Sequence, residues 1–161
     1  LTDLEMIDKD TVEVYARGRI VVAVKEGALV PSLKDLSGPS VKKIAIANPS
    51  HAPYGRAAEE AFKSAGVWEA VKPKLVFGEN IRQALQFVEA GNAEAGIIAL
   101  SIAGTRGIKF EAIDEALHKP INQTLGVVIS SSKKAEALSF IAYLKGPNGS
   151  TILKKYGFAL P

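Results

Sequence analysis

Short aliphatic, β-branched runs alternate with helix-forming runs between residues 19 and 113, and this alternation leaves few folds open to the chain. The predicted strands are "RIVVAVKEG" (19–27), "KKIAIAN" (42–48), "PKLVFG" (73–78), "EAGIIAL" (94–100) and "IKFEAI" (108–113), and the predicted helices are "GRAAEEAFKSAG" (55–66) and "NIRQALQFVEAG" (80–91). No apolar run reaches the ~18 residues that a membrane span requires. The spacing predicts an α/β fold class with a mainly parallel sheet, in which ligands bind at the carboxyl ends of the strands.

The alternation stops after "HKP" (118–120). The predicted elements beyond it are one strand, "INQTLGVVIS" (121–130), and two helices, "KKAEALSFIAYLKG" (133–146) and "NGSTILKKYGF" (148–158). One strand and two helices do not make a sheet of their own. We therefore place a domain boundary after residue 117, between a domain of residues 1–117 and a tail of residues 118–161.

Composition excludes several kinds of chemistry. The chain has no cysteine, which rules out thiolate catalysis, disulfides and cysteine–metal clusters. Its 20 basic and 17 acidic residues give a net charge of +3 without a basic stripe interleaved with aromatic residues, so nucleic acid is not an expected partner. The small positive excess mildly favours small anions.

Catalytic and cofactor motifs are missing from the sequence, including the nucleophile elbow, the Walker loop and the glycine pattern of dinucleotide-binding folds. His51 and His118 have no partner at metal-ligand spacing. Glu13, Glu59 and Glu60 are expected on solvent faces and do not form a catalytic pair. We therefore expect no cofactor and no enzyme activity.

Two strand-to-helix corners carry the remaining chemistry, "NPSHAPYG" (48–55) and "GEN" (78–80). Backbone N–H groups at a helix start lack intrahelical partners and add an effective charge of about +0.5. Two such ends that face one point form an anion site that needs neither lysine nor arginine. Arg56 and Arg82 fall just inside the two helix starts, where a ligand contact and a plain surface position are both open readings.

Five residues of these corners are the predicted ligand-binding residues. Pro53 fixes its own φ, and Gly55 lets an anion approach the backbone closely. Tyr54 places a phenolic O–H beside the N–H groups. Asn80 is the predicted N-cap of the second helix, which puts the Ile81 N–H in the first turn. Ordinary helix capping and turn punctuation explain the same residues and remain an open alternative.

Four longer motifs occur in order along the chain: "APYGRAAEEA", "PKLVFGENIRQALQFVEAGNAEAG", "HKP" and the terminal "LKKYGFALP". Through them the chain resembles the periplasmic molybdate-binding proteins of ABC importers, the ModA family, from about residue 15 to residue 161. The resemblance implies a two-lobed type II periplasmic binding protein fold. It also implies a periplasmic location, although the opening "LTDLEMIDKD" shows no signal peptide and would fit a cytoplasmic chain or one that starts late.

For the site, the resemblance implies that Tyr54 and Ile81 bind molybdate or tungstate through their backbone N–H groups, with the Tyr54 hydroxyl as a further donor. The metal at these residues is then the centre of an oxyanion and not a bare cation. Ala99 stands where some members carry a tyrosine, so that contact is absent. The ligand is expected in a cleft between lobes that closes about the strands "RIVVAV" (19–24) and "TLGVVI" (124–129), in a form that a membrane permease recognises.

The resemblance further implies that the family's first segment, part of the first lobe, is missing here. Residues 1–117 are then one complete middle lobe, and residues 118–161 are the C-terminal part of the other. With at least half of the donors absent, we expect weak or undetectable molybdate binding by these 161 residues alone. We also expect self-association through tail side chains that normally pack on that segment. They are Leu138, Phe140, Ile141, Tyr143, Leu144, Ile152 and Leu153.

Three other functions are weighed against molybdate or tungstate binding. The first is binding of another tetrahedral anion, sulfate or phosphate. The second is an effector-sensing domain of a transcription regulator, which the lack of a helix-turn-helix or basic patch disfavours. The third is catalysis, because related two-lobed folds host enzymes, and the lack of a nucleophile–base pair argues against it.

Overall fold

Two units make up the protein in its computed structural model, which describes residues 6–161. The continuous unit is the stretch Arg19–Ile121. The split unit combines the described residues up to Gly18 with Asn122–Pro161. Within residues 6–161, no helix is both long enough and apolar enough to cross a membrane.

The strands and helices of residues 6–161 are numbered in chain order. The strands are β1 (Glu13–Gly18), β2 (Ile20–Lys25), β3 (Ile44–Ala47), β4 (Leu75–Gly78), β5 (Ala95–Ala99), β6 (Ile108–Ala112) and β7 (Ile121–Leu125). The helices are α1 (Pro53–Ser64), α2 (Trp68–Val71), α3 (Ile81–Glu89), α4 (Leu100–Ala103), α5 (Lys134–Lys145) and α6 (Pro147–Lys155). Short 3-10 turns complete the regular structure, and one of them is Asp35–Ser37.

The sheet of the continuous unit has the order β4-β3-β5-β2-β6. β3 pairs in parallel with β4 and β5, whereas β2 pairs antiparallel with β5 and β6. Four of the five strands thus share one direction and β2 opposes them, so the predicted α/β class is confirmed with a mixed sheet. Each residue of β2 from Ile20 to Val24 is buried, because helices cover both faces of the sheet.

Alternate residues of β2 define two core layers. Ile20, Val22 and Val24 pack with Phe62 and the alanines of α1 on one face. Val21 and Ala23 pack with α3 on the other face. The apolar stripes of the two helices therefore cover opposite sides of the sheet. Both helices end as predicted, before Gly66 (φ 73°) and Gly91 (φ 74°), because the left-handed conformation there favours glycine.

The split unit shows why the first residues group with the tail. β1 pairs with β7, and Arg17 exchanges two backbone hydrogen bonds with Ala159, with N···O distances of 2.7 and 2.9 Å. Buried Thr11 accepts a hydrogen bond from the Val127 N–H at 2.8 Å. These pairings join the first described residues to the C-terminal segment. The units of the structure therefore differ from the two domains that we separated after residue 117.

The predicted connecting strands need correction. "RIVVAV" lies wholly in the continuous unit as β2, and most of "TLGVVI" lies beyond the end of β7 in the split unit. The chain instead passes between units at Gly18–Arg19 and at Ile121–Asn122. β2 is buried on both faces within one sheet, and the crossing lies directly before it.

Candidate functional site

Neighbouring parallel strands end at one edge of the continuous unit's sheet, and the two predicted corners follow them. β3 ends at Ala47 and β4 at Gly78, and these two residues are paired in register. α1 follows β3 on one face of the sheet, and α3 follows β4 on the other. The structure therefore places the two corners side by side.

The first corner leads into α1 without a side-chain cap. Ala52 is the N-cap residue and Pro53 the first helical residue, and the Ala52 carbonyl accepts the Arg56 N–H at 3.1 Å. Proline has no N–H, so the earliest amide donors of this helix belong to Tyr54 and Gly55. The half-buried Tyr54 ring packs against the core layer of α1, and the first turn holds no acidic residue.

The second corner has the predicted side-chain cap. Asn80 Oδ1 accepts the Gln83 N–H at 3.0 Å, which confirms Asn80 as the N-cap of α3. Gln83 Oε1 in turn accepts the Glu79 N–H at 2.6 Å. Among the residues that the structure describes, the N–H groups of Ile81 and Arg82 have no protein acceptor. They are the unpaired donors of this helix start.

Gly55 has a different role from the one predicted. A Cβ on Gly55 would lie 2.1 Å from the Ala47 carbonyl oxygen, far inside van der Waals contact. The missing side chain therefore lets α1 dock on the end of β3, a packing role in addition to the predicted ligand access, which stays a prediction. Gly78 is similarly tight, since a Cβ there would lie 2.9 Å from the Ala84 nitrogen of α3.

His51 joins the two corners, a link that the sequence analysis did not predict. Its Nε2 lies 2.9 Å from the Glu79 carbonyl oxygen, and its Nδ1 lies 3.0 Å from Ser50 Oγ. Below it, the Asn48 N–H donates to the Gly78 carbonyl at 2.8 Å. Local sequence holds no signal for this link, because His51 and Glu79 are 28 positions apart and only the strand order makes them neighbours.

The charged side chains at the corners are two arginines and the Glu79 carboxylate. Arg56 and Arg82 are exposed, and neither forms an ion pair with any residue in the described part of the chain. The first turn of α3, like that of α1, lacks acidic residues. Residues 6–161 contain no cluster of three or more histidine or acidic side chains that could hold a metal ion. The donors at this edge are amides, which bind anions and not bare cations.

The end of β5, the third parallel strand at this edge, supplies fewer hydrogen-bond donors. Ala99 ends β5 and is buried, with a methyl side chain that offers no donor. The next amide, that of Leu100, already donates to the Arg19 carbonyl at 2.9 Å. The donors of this edge therefore come from the corners before α1 and α3.

Comparisons with known proteins identify the family and the fold of the chain. A family model described as bacterial extracellular solute-binding protein matches residues 1–159. The molybdate-binding protein ModA of Rhodobacter capsulatus is 35% identical over 145 residues, which cover 89% of this chain and 58% of the relative. ModA of Azotobacter vinelandii is 36% identical over 154 residues, which cover 91% of this chain and 60% of that protein. The chain thus spans about 60% of the length of these relatives.

A solved structure supports the fold independently. The periplasmic molybdate-binding protein of Azotobacter vinelandii superposes with a TM-score of 0.87 and 28% sequence identity. The superposition covers 99% of this chain and 72% of that chain.

Proposed function

The chain belongs to the family of bacterial extracellular solute-binding proteins, and from that premise we propose that it is the oxyanion-binding component of an ABC importer, with molybdate or tungstate as its ligand. The family is one of binding proteins, as expected for a chain without catalytic motifs, and not of enzymes. The names of the relatives support molybdate as the solute.

One observation carries the proposal: two helix starts without acidic residues lie side by side at the carboxyl edge of neighbouring parallel strands. Burying a dianion is costly unless its oxygens find donors. Hydrogen bonds to a charged acceptor are roughly twice as strong as neutral ones, so a ring of amide donors offsets that cost. The helix dipoles add favourable potential at the same point.

In this proposal, the backbone N–H groups of Tyr54 and Ile81 donate to the oxyanion, and the Tyr54 hydroxyl is a further donor. Pro53 holds the first turn of α1 in helical φ, and Gly55 lets that turn lie against β3. Asn80 occupies the Gln83 N–H, which leaves the Ile81 and Arg82 amides for the ligand. Sulfate is smaller than molybdate and would leave donors unmet, whereas tungstate matches molybdate in size.

The remaining parts of the proposal concern the whole protein. We place it in the periplasm with a membrane permease as its partner, on the strength of the family and of the structural match to a periplasmic protein. We also propose that this chain self-associates, because several large apolar side chains of α5 and α6 are exposed.

An amide-resolved titration tests the site. In ¹⁵N-labelled protein at constant ionic strength, molybdate and tungstate should shift the amide resonances of Tyr54, Gly55, Ile81 and Arg82 more than sulfate or chloride does. Unchanged resonances at millimolar molybdate, or equal shifts with chloride, would contradict the proposal.

A matched pair of variants isolates one donor. Ile81→Pro removes the N–H at the first helical position, where proline is tolerated, and Asn80 before it is already extended (φ −151°, ψ 174°). Ile81→Ala loses the side chain but keeps the N–H. We expect the proline variant to bind molybdate about tenfold more weakly, from the loss of one hydrogen bond to a charged group. The alanine variant should stay near the wild type, and equal losses in both would exclude the amide as a donor.

A further inference from the structure

We propose that His51 is a positioning residue that sets the spacing and orientation of the two helix starts, and thereby the affinity of the site for a tetrahedral oxyanion. The inference rests on the proposed function, and it concerns a residue that does not itself contact the ligand. It follows from the place of His51 between the corners and from the hydrogen bonds of its ring.

His51 and Glu79 hold equivalent positions in the two corners. His51 directly precedes Ala52, the N-cap of α1, and Glu79 directly precedes Asn80, the N-cap of α3. The hydrogen bond from His51 Nε2 to the Glu79 carbonyl oxygen, at 2.9 Å, therefore joins the residues just outside the two helices. The carbonyl belongs to the peptide that leads into Asn80, so the bond fixes the plane of that peptide.

Other contacts hold each helix to its own strand but not to the neighbouring corner. Gly55 seats α1 on β3, and Gly78 seats α3 against the end of β4. The backbone pairing of the two strands continues only to the bond from the Asn48 N–H to the Gly78 carbonyl. Beyond that bond, the His51 ring is a side chain that joins one corner to the other through a hydrogen bond.

The ring chemistry makes this link persistent. Nε2 faces a carbonyl, so it carries a proton, and in the neutral ring Nδ1 accepts the Ser50 hydroxyl proton. A protonated ring keeps its Nε2 donor, and Nδ1–H then donates to Ser50 Oγ. The Glu79 carboxylate, 3.8 Å from Nε2, is the charged group that faces the ring. The link is therefore retained in both charge states.

Fixed spacing matters because the donors come from two helices and must reach one ligand together. If the amides are already held in place, little conformational entropy is lost when the anion binds. If the corners are loose, ordering them on binding lowers the affinity. The His51 side chain is 50% exposed, so its removal should loosen the corners without unfolding the core.

Two substitutions test the role. His51→Ala removes the donor, and His51→Gln places an amide N–H where Nε2 lies. We expect the alanine variant to bind molybdate about fivefold more weakly, the equivalent of one ordinary hydrogen bond. The glutamine variant should recover most of the affinity, within about twofold of the wild type by the same conversion. Thermal unfolding of each variant measures any general loss of stability separately.

Residual dipolar couplings of the ligand-free protein give a second readout. They report the orientation of the Ile81 and Arg82 N–H bonds relative to those of α1, which should change in the alanine variant and return in the glutamine variant. Unchanged couplings in the alanine variant, or equal losses of affinity with alanine and glutamine, would overturn the inference. If the wild type binds no tetrahedral anion, the proposed function fails, and the couplings alone still decide whether His51 positions the corners.

Discussion

Gly55 is the position where α1 and β3 leave least room for a side chain. We predict that Gly55→Ala destabilises the protein by at least about 1–3 kcal/mol, because its Cβ would meet the Ala47 carbonyl oxygen at 2.1 Å and force the helix off the strand. Gly104→Ala is the matched control, since a Cβ there meets nothing within 4 Å. Urea unfolding measures both. A Gly55→Ala variant as stable as the control would show that the corner adapts.

Glu94 stabilises the start of β3 and β5 through its charge. Its carboxylate accepts the N–H groups of Lys43 at 2.7 Å and Lys42 at 3.2 Å. The backbone hydrogen bond from Lys43 is the largest cause that lowers the pKa of Glu94 from its ordinary value of 4.5. A lowered pKa contributes stability above the ordinary value, and this stability is lost as the pH falls through the pKa of the folded state.

We therefore predict that Glu94→Gln lowers the thermal unfolding midpoint at pH 7, and that the difference from the wild type shrinks as the pH falls below about 4.5. The control is Glu26→Gln at an exposed glutamate whose carboxylate forms no ion pair or hydrogen bond among residues 6–161. Calorimetry across this pH range measures both variants. A difference that grows in acid would have the wrong sign for this mechanism.

Residue roles were predictable where the partner is local. Asn80 was identified as an N-cap because its partner, Gln83, is three positions away. The packing of Gly55 against the Ala47 carbonyl and the hydrogen bond of His51 to Glu79 were not predicted, because each contact forms only when the strands pair. The assignment of Tyr54 and Ile81 to the ligand remains a prediction.

Lys74 joins separate elements of the continuous unit. Its ammonium donates to the carbonyl oxygens of Leu36, Ser37 and Gly38 at 3.2, 2.8 and 2.6 Å, at the end of the 3-10 turn before β3. We predict that Lys74→Met destabilises the protein by about 1–3 kcal/mol, because three carbonyls lose a charged donor. Amide exchange of residues 36–38 should also quicken.

Exposed Lys72, in the same turn as Lys74, supplies the control. Lys72→Met should leave both the unfolding free energy and the exchange near their wild-type values. Equal effects of the two substitutions would show that general charge, and not the contact with the turn, is what Lys74 contributes.

Elements with a strong apolar stripe were predicted well, and α3 is the example, with Ala84, Leu85 and Val88 buried as expected. The strand predicted at 121–130 ends early, at Leu125, and beyond it Val128 forms an isolated antiparallel bridge with Ile7. The direction of β2 was not predictable, since a run buried on both faces reads the same in parallel and antiparallel sheets.

At the scale of the whole molecule, the exposed apolar side chains of the split unit predict association. Ile141 is the buried residue of α5, whereas Leu138, Phe140 and Tyr143 are 43%, 60% and 51% exposed. We expect light scattering to give a mass above 17.1 kDa that rises with concentration. Replacing Phe140 with Lys should reduce that rise, whereas Ser139→Lys on the same helix should not. A constant monomer mass would refute this expectation.

The two-part organisation depends on contacts between distant segments. The change of pattern after residue 117 predicted a separate tail, and the structure groups Asn122–Pro161 with the described residues up to Gly18 in the split unit. The sequence did not predict that the first residues belong to that unit, because this depends on backbone hydrogen bonds between Arg17 and Ala159, which are far apart in the sequence.

Both corners lie in one uninterrupted stretch, Arg19–Ile121, and its flanking residues Ile20 and Ile121 belong to the same core layer. A gene segment for this stretch is thus suited to transplantation as a cassette into a surface loop of a fluorescent reporter. In such a chimera, an optical response to molybdate would report binding at the corners, as the proposed function expects.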